Sequence, residues 1–193
     1  MKKLFVFAVA AVFALVSCNK DDEVKKTDTA TGDVTKVCIN EVCGVVGWKG
    51  VELYNAGDAE VSLEGVTLFK NGEEIACWTG TSEDKIASKK FFVIKGKKEC
   101  DNIESVANAT STASFSPTKS LLLELKDASG KVISTFDRGW AANANTEVSL
   151  ETVEFSYART TDGGTTWTLK DITIGASNNS AAEHGDIPTA PAA

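Results

Sequence analysis

The sequence predicts an all-β protein of about eight or nine short strands that close into a sandwich. Between residues 36 and 178, runs rich in Val, Ile, Phe and Thr alternate with turn residues throughout. No apolar stripe with the helical period of about 3.6 residues persists far enough for a long helix. Many short strands at such close spacing are typical of two stacked sheets.

The chain opens with the pattern of a secretory leader. Lys2 and Lys3 form a basic start, and residues 4–16 are an unbroken apolar run of 13 residues. A membrane span needs roughly 18 residues, so residues 1–17 are predicted to be a signal peptide. The run ends in a motif that resembles the lipobox of bacterial lipoproteins, Leu15-Val16-Ser17-Cys18. The resemblance implies cleavage before Cys18 and a diacylglyceryl group on its sulfur, which would anchor the chain at a membrane. The alternative is an ordinary cleaved leader with an incidental cysteine.

Residues 18–35 are predicted to be the lipidated cysteine and a flexible tether. From residue 19 onward this segment has no aromatic residue and is rich in Lys, Asp, Thr and Ala, so it cannot bury enough surface to fold. Residues 19–23 (NKDDE) are similar to the acidic signal that carries some Gram-negative lipoproteins to the cell surface. We therefore expect an outer-membrane lipoprotein that faces the cell exterior, with a plain solvated linker as the alternative. Asp28-Thr29-Ala30 resembles an O-glycosylation acceptor of some anaerobic bacteria.

The globular part is predicted to span residues 36–178. A last short strand is centred on Trp167, and the other predicted strands are 36–42, 50–55, 61–70, 73–79, 89–95, 120–126, 131–137 and 152–159. Asn71-Gly72 predicts a two-residue hairpin, because both central positions of a type I′ turn need positive φ. Residues 127–130 predict a second, longer hairpin loop. Residues 179–193 hold Ala, Ser and Pro without apolar periodicity and are predicted to be a disordered tail.

Four further cysteines are candidates for two disulfides, because an exported domain meets an oxidising environment: Cys38, Cys43, Cys77 and Cys100. On a straight strand the first two would lie about 16 Å apart, beyond the reach of a bridge. Pairings with Cys77 and Cys100 are therefore favoured, and their connectivity stays open. Zinc is disfavoured, because there is no C-x-x-C pair and the one histidine, His184, lies in the predicted tail. Buried free thiols are the remaining alternative.

Motifs at both ends of the globular part resemble one known family. The opening motifs are Ile39-Asn40-Glu41-Val42, Val51-Glu52-Leu53-Tyr54-Asn55 and Val61-Ser62-Leu63-Glu64-Gly65-Val66-Thr67-Leu68. The closing motifs are Ser156-Tyr157-Ala158-Arg159, Asp162-Gly163, Trp167 and Gly175-Ala176-Ser177-Asn178. In this order they resemble the lamin tail domain over residues 37–178, with departures at Val51 and Ile174. The resemblance implies an immunoglobulin-like β-sandwich. Bacterial members of the family are similar to add-on modules of exported proteins that bind or tether, and they are not known as catalysts.

The sequence favours no catalytic, metal or cofactor site. The formal net charge of −7 repels phosphate backbones, so nucleic-acid binding is disfavoured. A serine nucleophile needs a base, and His184 lies in the predicted tail. Adjacent carboxylates such as Glu73 and Glu74 point to opposite faces of a strand and cannot flank one substrate. We therefore expect no enzyme activity, no cofactor and no small-molecule substrate.

Two groups of residues remain to be assigned a role. For Glu41, Glu52 and Asn55 the resemblance to the lamin tail domain implies a structural role, with side chains that bond backbone amides near a turn; the alternative is a polar cluster that forms a functional site. Trp48 and Trp140 are candidate binding residues, since each lies beside a glycine in a predicted loop and an exposed aromatic ring can stack on a sugar or anchor a protein. The alternative for both tryptophans is a place in the core.

The expected function is a non-catalytic binding or tethering module, displayed on the cell surface by its lipid anchor. Its partner would be a surface protein, a glycan or another envelope component. The alternative is a structural or accessory subunit of a larger envelope complex with no ligand of its own.

Overall fold

The computed structural model of the protein describes residues 32–98 and 100–191. The predicted signal peptide, Cys18, the first part of the tether and the Asp28-Thr29-Ala30 acceptor lie outside the described residues. The predictions made for them stay predictions.

The described chain is all-β, as the sequence predicts. Its helical segments are four three-residue 3-10 turns, Val34–Lys36, Ile103–Ser105, Ala141–Asn143 and Asn178–Ser180. The thirteen strands are β1 (Val37–Cys43), β2 (Gly50–Asn55), β3 (Val61–Ser62), β4 (Thr67–Lys70), β5 (Trp78–Thr79), β6 (Lys85–Ile86), β7 (Phe91–Lys95), β8 (Ala109–Thr110), β9 (Leu121–Lys126), β10 (Val132–Arg138), β11 (Ser156–Arg159), β12 (Trp167–Lys170) and β13 (Glu183–Gly185).

These strands form two facing sheets and a small ribbon. The larger sheet has seven strands in the order β13-β12-β11-β1-β2-β7-β8, and the smaller has four in the order β10-β9-β4-β5. Strands β3 and β6 pair separately, and only the β7–β8 pair among the described pairs is parallel. One apolar core contains side chains from both sheets, including Ile39, Leu53, Leu68, Leu123 and Phe136. The arrangement is a β-sandwich and is consistent with an immunoglobulin-like fold.

A β-bulge in β1 decides which side chains enter the core. The pairing of β1 with β2 shifts between Ile39 and Glu41, so Asn40 is the extra residue. Side chains of a regular strand alternate between its faces, and the extra residue reverses that alternation. Ile39 and Val42 therefore both reach the inner core, while Glu41 lies on the outer face of the larger sheet.

The hairpin at Asn71-Gly72 has the predicted turn but a shorter return strand. The φ angles of the two residues are 53° and 69°, and the Glu73 amide donates to Lys70 O over 2.9 Å. The predicted strand over 73–79 is wrong for its first five residues, because β5 begins only at Trp78. Trp78 pairs with Leu68 and is buried against Phe92, so the core sets the register and the intervening residues loop out.

The prediction of a disordered tail is wrong for the described residues after 179. Strand β13 pairs with β12 at the edge of the larger sheet, and Ile187 packs against the core. The buried Arg138 donates to Pro188 O, and the Asn143 side chain donates to Thr189 O over 3.0 Å. Because backbone and arginine contacts hold this segment, it needs no apolar periodicity that the sequence could display.

A second, smaller apolar cluster lies on the outer face of the larger sheet. It contains Cys43, Val93, Cys100, Ile103 and Ile174. Trp48 and Val45 are half-buried and pack against it. Loops therefore cover part of the outer face, and this cover also encloses the polar residues described next.

Candidate functional site

The predicted polar residues Glu41 and Glu52 are cross-strand partners on the outer face of the larger sheet. Their strands β1 and β2 place the two Cα atoms opposite each other, and both side chains are fully buried. Cross-strand neighbours on one face have Cβ atoms about 5 Å apart, so the two carboxyl groups share one environment.

Residues 173–175 close over this pair and take up all four carboxyl oxygens together with Asn40. Glu41 Oε1 accepts the Thr173 amide over 3.0 Å, and Glu41 Oε2 lies 2.6 Å from Thr173 Oγ1. Glu52 Oε1 accepts Asn40 Nδ2 over 2.8 Å, and Glu52 Oε2 accepts the Gly175 amide over 2.6 Å. The pair thus satisfies backbone groups that would otherwise be buried without partners.

Asp162 extends the network at its edge. Its Oδ1 accepts the Asn178 amide and Asn40 Nδ2, each over 3.0 Å. Asn40 Oδ1 in turn accepts the Gly163 amide over 3.0 Å. Gly163 has a φ of 70°, which favours glycine, and a Cβ there would lie 3.1 Å from the Tyr54 ring. The Asp162-Gly163 pair is therefore a turn that packs tightly on β2.

A buried lysine ties the cover segment to the sheet. Lys170, 1% exposed on β12, donates to Thr160 O and Asn178 O, each over 2.8 Å. Asn178 is itself fully buried and donates from Nδ2 to Asn40 O over 3.2 Å. Residues from both ends of the chain thus meet in one polar cluster.

The surroundings of Glu41 and Glu52 favour a pair that holds at least one proton at neutral pH. Burial raises the pKa of Glu41, against the hydrogen bonds from Thr173 that lower it. Burial and the neighbouring carboxyl of Glu41 raise the pKa of Glu52 as well. Two carboxyl groups this close in a buried setting do not both ionise at neutral pH.

These hydrogen bonds hold residues 173–178 against the sheet, and Glu41 and Glu52 bond backbone amides as expected. We call this polar cluster the clasp; it contains Asn40, Glu41, Glu52, Asp162, Lys170, Thr173 and Asn178. Among the described residues, the one buried side-chain oxygen or nitrogen without a partner is the Tyr157 hydroxyl, and Tyr157 belongs to the inner core. Asn55, the third predicted polar residue, lies elsewhere: its Nδ2 donates to Ala59 O and Ile86 O, and its Oδ1 accepts the Gly57 amide. It holds the turn after β2.

The four disulfide candidates are free thiols, so the prediction of two bridges is corrected. Cys77 lies in the inner core, while Cys43 and Cys100 lie in the outer cluster and Cys38 is half-buried. Cys100 Sγ donates among carbonyl oxygens, with Gly96 O at 3.1 Å. Burial raises the pKa of all four thiols, and that of Cys43 reaches about 12. These cysteines behave as small apolar residues.

The two candidate binding tryptophans, Trp48 and Trp140, differ in the residues that surround them. Trp48 is half-buried against the outer cluster and shares its loop with Val46, which is 65% exposed. Trp140 is also half-buried, and its amide donates to Asp137 Oδ1 over 2.6 Å. Gly47 O accepts the Ile103 amide over 3.0 Å, so the loop that carries Trp48 is fixed in place.

His184 stands on β13 and not in a disordered tail. Its ring stacks on Phe155 with centroids 3.7 Å apart, and its Nε2 lies 2.7 Å from Asp171 Oδ1. The two rings line a surface groove of about 560 Å³ together with Glu151, Val153 and Pro188.

The clasp also contains four residues that the sequence does not reveal as one group: Asp162, Lys170, Thr173 and Asn178. Asp162 and Asn178 were recognised only as parts of motifs. Two of the contacts that bring these residues together, Thr173–Glu41 and Asp162–Asn40, span more than 120 residues of the chain. The motifs that resemble the lamin tail domain include Asp162 and Asn178, but the sequence does not show that these residues contact Asn40.

No family model and no curated protein matches the chain. In the part of the chain that the structure describes, no group of three or more His, Cys, Asp or Glu side chains is arranged to hold a metal ion. Nor does any helix within residues 32–98 and 100–191 have the length and hydropathy to cross a membrane.

Proposed function

We propose that the chain is a surface lipoprotein whose sandwich binds or tethers and does not catalyse. The observation that carries the proposal is the set of hydrogen bonds made by the buried carboxyl pair. All four oxygens of Glu41 and Glu52 contact groups of the same chain, and residues 173–175 cover them. The pair that would best suit acid–base chemistry therefore has no oxygen left for a substrate.

The resemblance to the lamin tail domain supports a non-catalytic role. Its opening motifs supply Asn40, Glu41 and Glu52, and its closing motifs supply Asp162 and Asn178. Contacts between these residues close the cluster, which is how a shared signature would stabilise a shared fold.

We propose the loop of residues 44–49 as the binding face. Val46 is 65% exposed there, and Trp48 presents part of its ring beside it. The loop is anchored to residues 102–103 by two amides that donate to Gly47 O, so little ordering is needed on binding. Trp140 marks a second, weaker candidate surface.

The binding face is tested with a matched pair of exposed aliphatic residues. Val46→Asp alters the loop, whereas Ile75→Asp alters a residue that is 80% exposed in the segment between β4 and β5. Chains that begin at Asn19 are titrated onto washed envelopes of the producing bacterium. We expect wild type and I75D to bind alike and V46D to bind at least about tenfold more weakly. Equal binding by all three chains excludes the loop, and no binding by wild type favours the accessory-subunit alternative.

The anchor and the location need separate experiments. A fatty acid analogue fed to the cells should label the wild type and leave Cys18→Ala unlabelled. Protease added to intact cells should remove the sandwich from the wild type if it faces outward. Full protection of the domain contradicts surface display, and an unlabelled wild type contradicts the lipid anchor.

A further inference from the structure

The hydroxyl group of Thr173 lies between two oxygens, one of Asn178 and one of Glu41, and it has a single proton to donate. Thr173 Oγ1 is 2.7 Å from Asn178 Oδ1 and 2.6 Å from Glu41 Oε2. The Asn178 amide orientation is fixed, because its Nδ2 donates to Asn40 O over 3.2 Å. Asn178 Oδ1 can only accept, so the single hydroxyl proton of Thr173 belongs to that contact. The contact with Glu41 then needs a proton from Glu41.

Glu52 differs from Glu41, whose Oε1 accepts the Thr173 amide but whose Oε2 faces the Thr173 hydroxyl. Both oxygens of Glu52 face N–H donors, Asn40 Nδ2 and the Gly175 amide. Such donors stabilise a carboxylate, so Glu52 is the better seat for a negative charge. A charge on Glu52 in turn disfavours a second charge on Glu41, its cross-strand partner.

The other charged and titratable groups around the pair lie on three sides. Lys170 reaches the network through Asn178 O over 2.8 Å, and Asp162 reaches it through Asn40. Along β1, the thiols of Cys43 and Cys38 flank the carboxyls, and each of these thiols has a raised pKa. Arg159 donates to Ile39 O over 2.6 Å at the far side of Cys38.

We infer that Glu41 carries a proton at neutral pH and that this proton holds residues 173–178 closed over the outer face. Loss of the proton turns Glu41 into an acceptor that competes with Asn178 Oδ1 for the one Thr173 hydroxyl proton. It also places a second negative charge beside Glu52. The cover then loosens, and Ile174, 5% exposed in the closed state, leaves the cluster that contains Cys43 and Cys100. The device depends neither on the lipid anchor nor on a partner.

Two amide substitutions separate the roles of the glutamates. In Glu41→Gln, the new amide oxygen accepts the Thr173 amide and its N–H donates to Thr173 Oγ1, as the protonated acid does. In Glu52→Gln, one N–H of the new amide must face either Asn40 Nδ2 or the Gly175 amide, both donors. E41Q should therefore keep the closed cover, and E52Q should lose it.

The test is a carbon-13 NMR titration of the wild-type chain labelled at the glutamate carboxyls, assigned with E41Q. We expect the Glu41 signal to stay at the position of a protonated acid through neutral pH and to move only under alkaline conditions. A Glu41 signal that titrates below about pH 6, as an ordinary glutamate does, overturns the inference. The titration itself is measured on the wild type, and E41Q has to fold only so that the Glu41 signal can be assigned.

Amide hydrogen exchange tests the cover itself. We expect exchange at Thr173 and Gly175 to accelerate more steeply with rising pH in the wild type than in E41Q. At neutral pH these amides should be protected in E41Q and unprotected in E52Q. Equal pH dependence in wild type and E41Q, or an E41Q chain less protected than E52Q, contradicts the role of the proton.

Discussion

Arg138 is a fully buried cation that binds backbone oxygens instead of a carboxylate. Its guanidinium donates to Pro117 O, Glu151 O and Pro188 O, and it lies over the Tyr157 ring with 4.8 Å to the centroid. Hydrogen bonds from a charged donor are stronger than neutral ones, and three separate loops depend on this group. The side chain therefore locks the end of the sandwich where those loops meet.

Replacing Arg138 with Ala should lower the free energy of unfolding by on the order of 3 kcal/mol, because three carbonyl oxygens lose a charged donor and a fully buried side chain is removed. Urea denaturation checks this result. Lys131→Ala is the control, since Lys131 is exposed on the loop between β9 and β10, and its effect should stay within about 0.5 kcal/mol. Equal midpoints for both variants would show that the guanidinium contributes no net stability.

Substitutions at two glycines with the same backbone conformation measure how closely the segment at Thr189 packs on the sandwich. Gly139 and Gly72 have φ angles of 70° and 69°. A Cβ at Gly139 would lie 2.2 Å from Thr189 O, whereas a Cβ at Gly72 meets nothing within 4 Å. Both substitutions to Ala carry a backbone strain of about 1 kcal/mol. Gly139→Ala should cost clearly more than Gly72→Ala in urea denaturation, and equal costs would mean that the tail does not rest on Gly139.

At the scale of elements, β13 and the segment after it close one edge of the larger sheet. Deleting residues 186–193 removes Ile187 from the core and Pro188 O from Arg138. Deleting residues 190–193 leaves both contacts and is the matched control. The longer deletion should lower stability by about 2 kcal/mol and the melting temperature by roughly 4–8 °C. A melting temperature that matches the control would show that the segment contributes nothing.

The elements that the sequence could predict are those whose pattern is local. The range 50–55 matches β2, and the turn at Asn71-Gly72 has the predicted φ angles, because burial and turn chemistry are properties of neighbouring residues. Strand β13 has three exposed residues and no apolar signal. The range 73–79 looked strand-like, yet the buried Trp78 sets a register that leaves Ile75 in solvent.

The clasp was predictable only in part for the same reason. Glu41 and Glu52 belong to motifs that resemble the lamin tail domain, and that resemblance implies a structural role for them. The bulge at Asn40 that turns Glu41 outward depends on pairing with β2. The Thr173 hydroxyl that decides the protonation of Glu41 comes from a loop 132 residues away. Neither feature leaves a periodic trace in the sequence.

At the scale of the whole molecule, the thiols should behave as four separate buried groups. We expect four alkylated cysteines in a chain from Asn19 that is denatured without reductant and analysed by mass. In the native chain Cys38 should react first, since it is half-buried while the other three are buried. Fewer than four labelled sites in the unreduced, denatured chain would restore a disulfide, and pairing would then require the loops of the outer cluster to move.

Stability of the whole molecule should be greatest in mildly acidic solution. Burial and mutual repulsion raise the folded-state pKa of the Glu41–Glu52 pair above the ordinary value of 4.5, so the stabilising contribution of its bound proton is complete below pH 4.5 and is lost as the pH rises through the folded-state pKa. One extra bound proton changes the free energy of unfolding by at most about 1.4 kcal/mol per pH unit over this window. Asp33 and Asp127 act oppositely, because hydrogen bonds from Thr35 and Ser129 lower their pKa values below 3.8, so their contribution is lost only in acid.

Urea midpoints measured from pH 4 to pH 9 on the wild type and E41Q test this balance. The wild-type midpoint should fall steadily above about pH 5. In E41Q the carboxyl beside Glu52 is gone, so the pKa of Glu52 should drop and the alkaline decline should become shallower. A wild-type midpoint that stays level between pH 5 and pH 8 would mean that the carboxyl pair is already ionised in the folded protein, because carboxyls with ordinary or lowered pKa values have lost their protons in both the folded and the unfolded chain over this range.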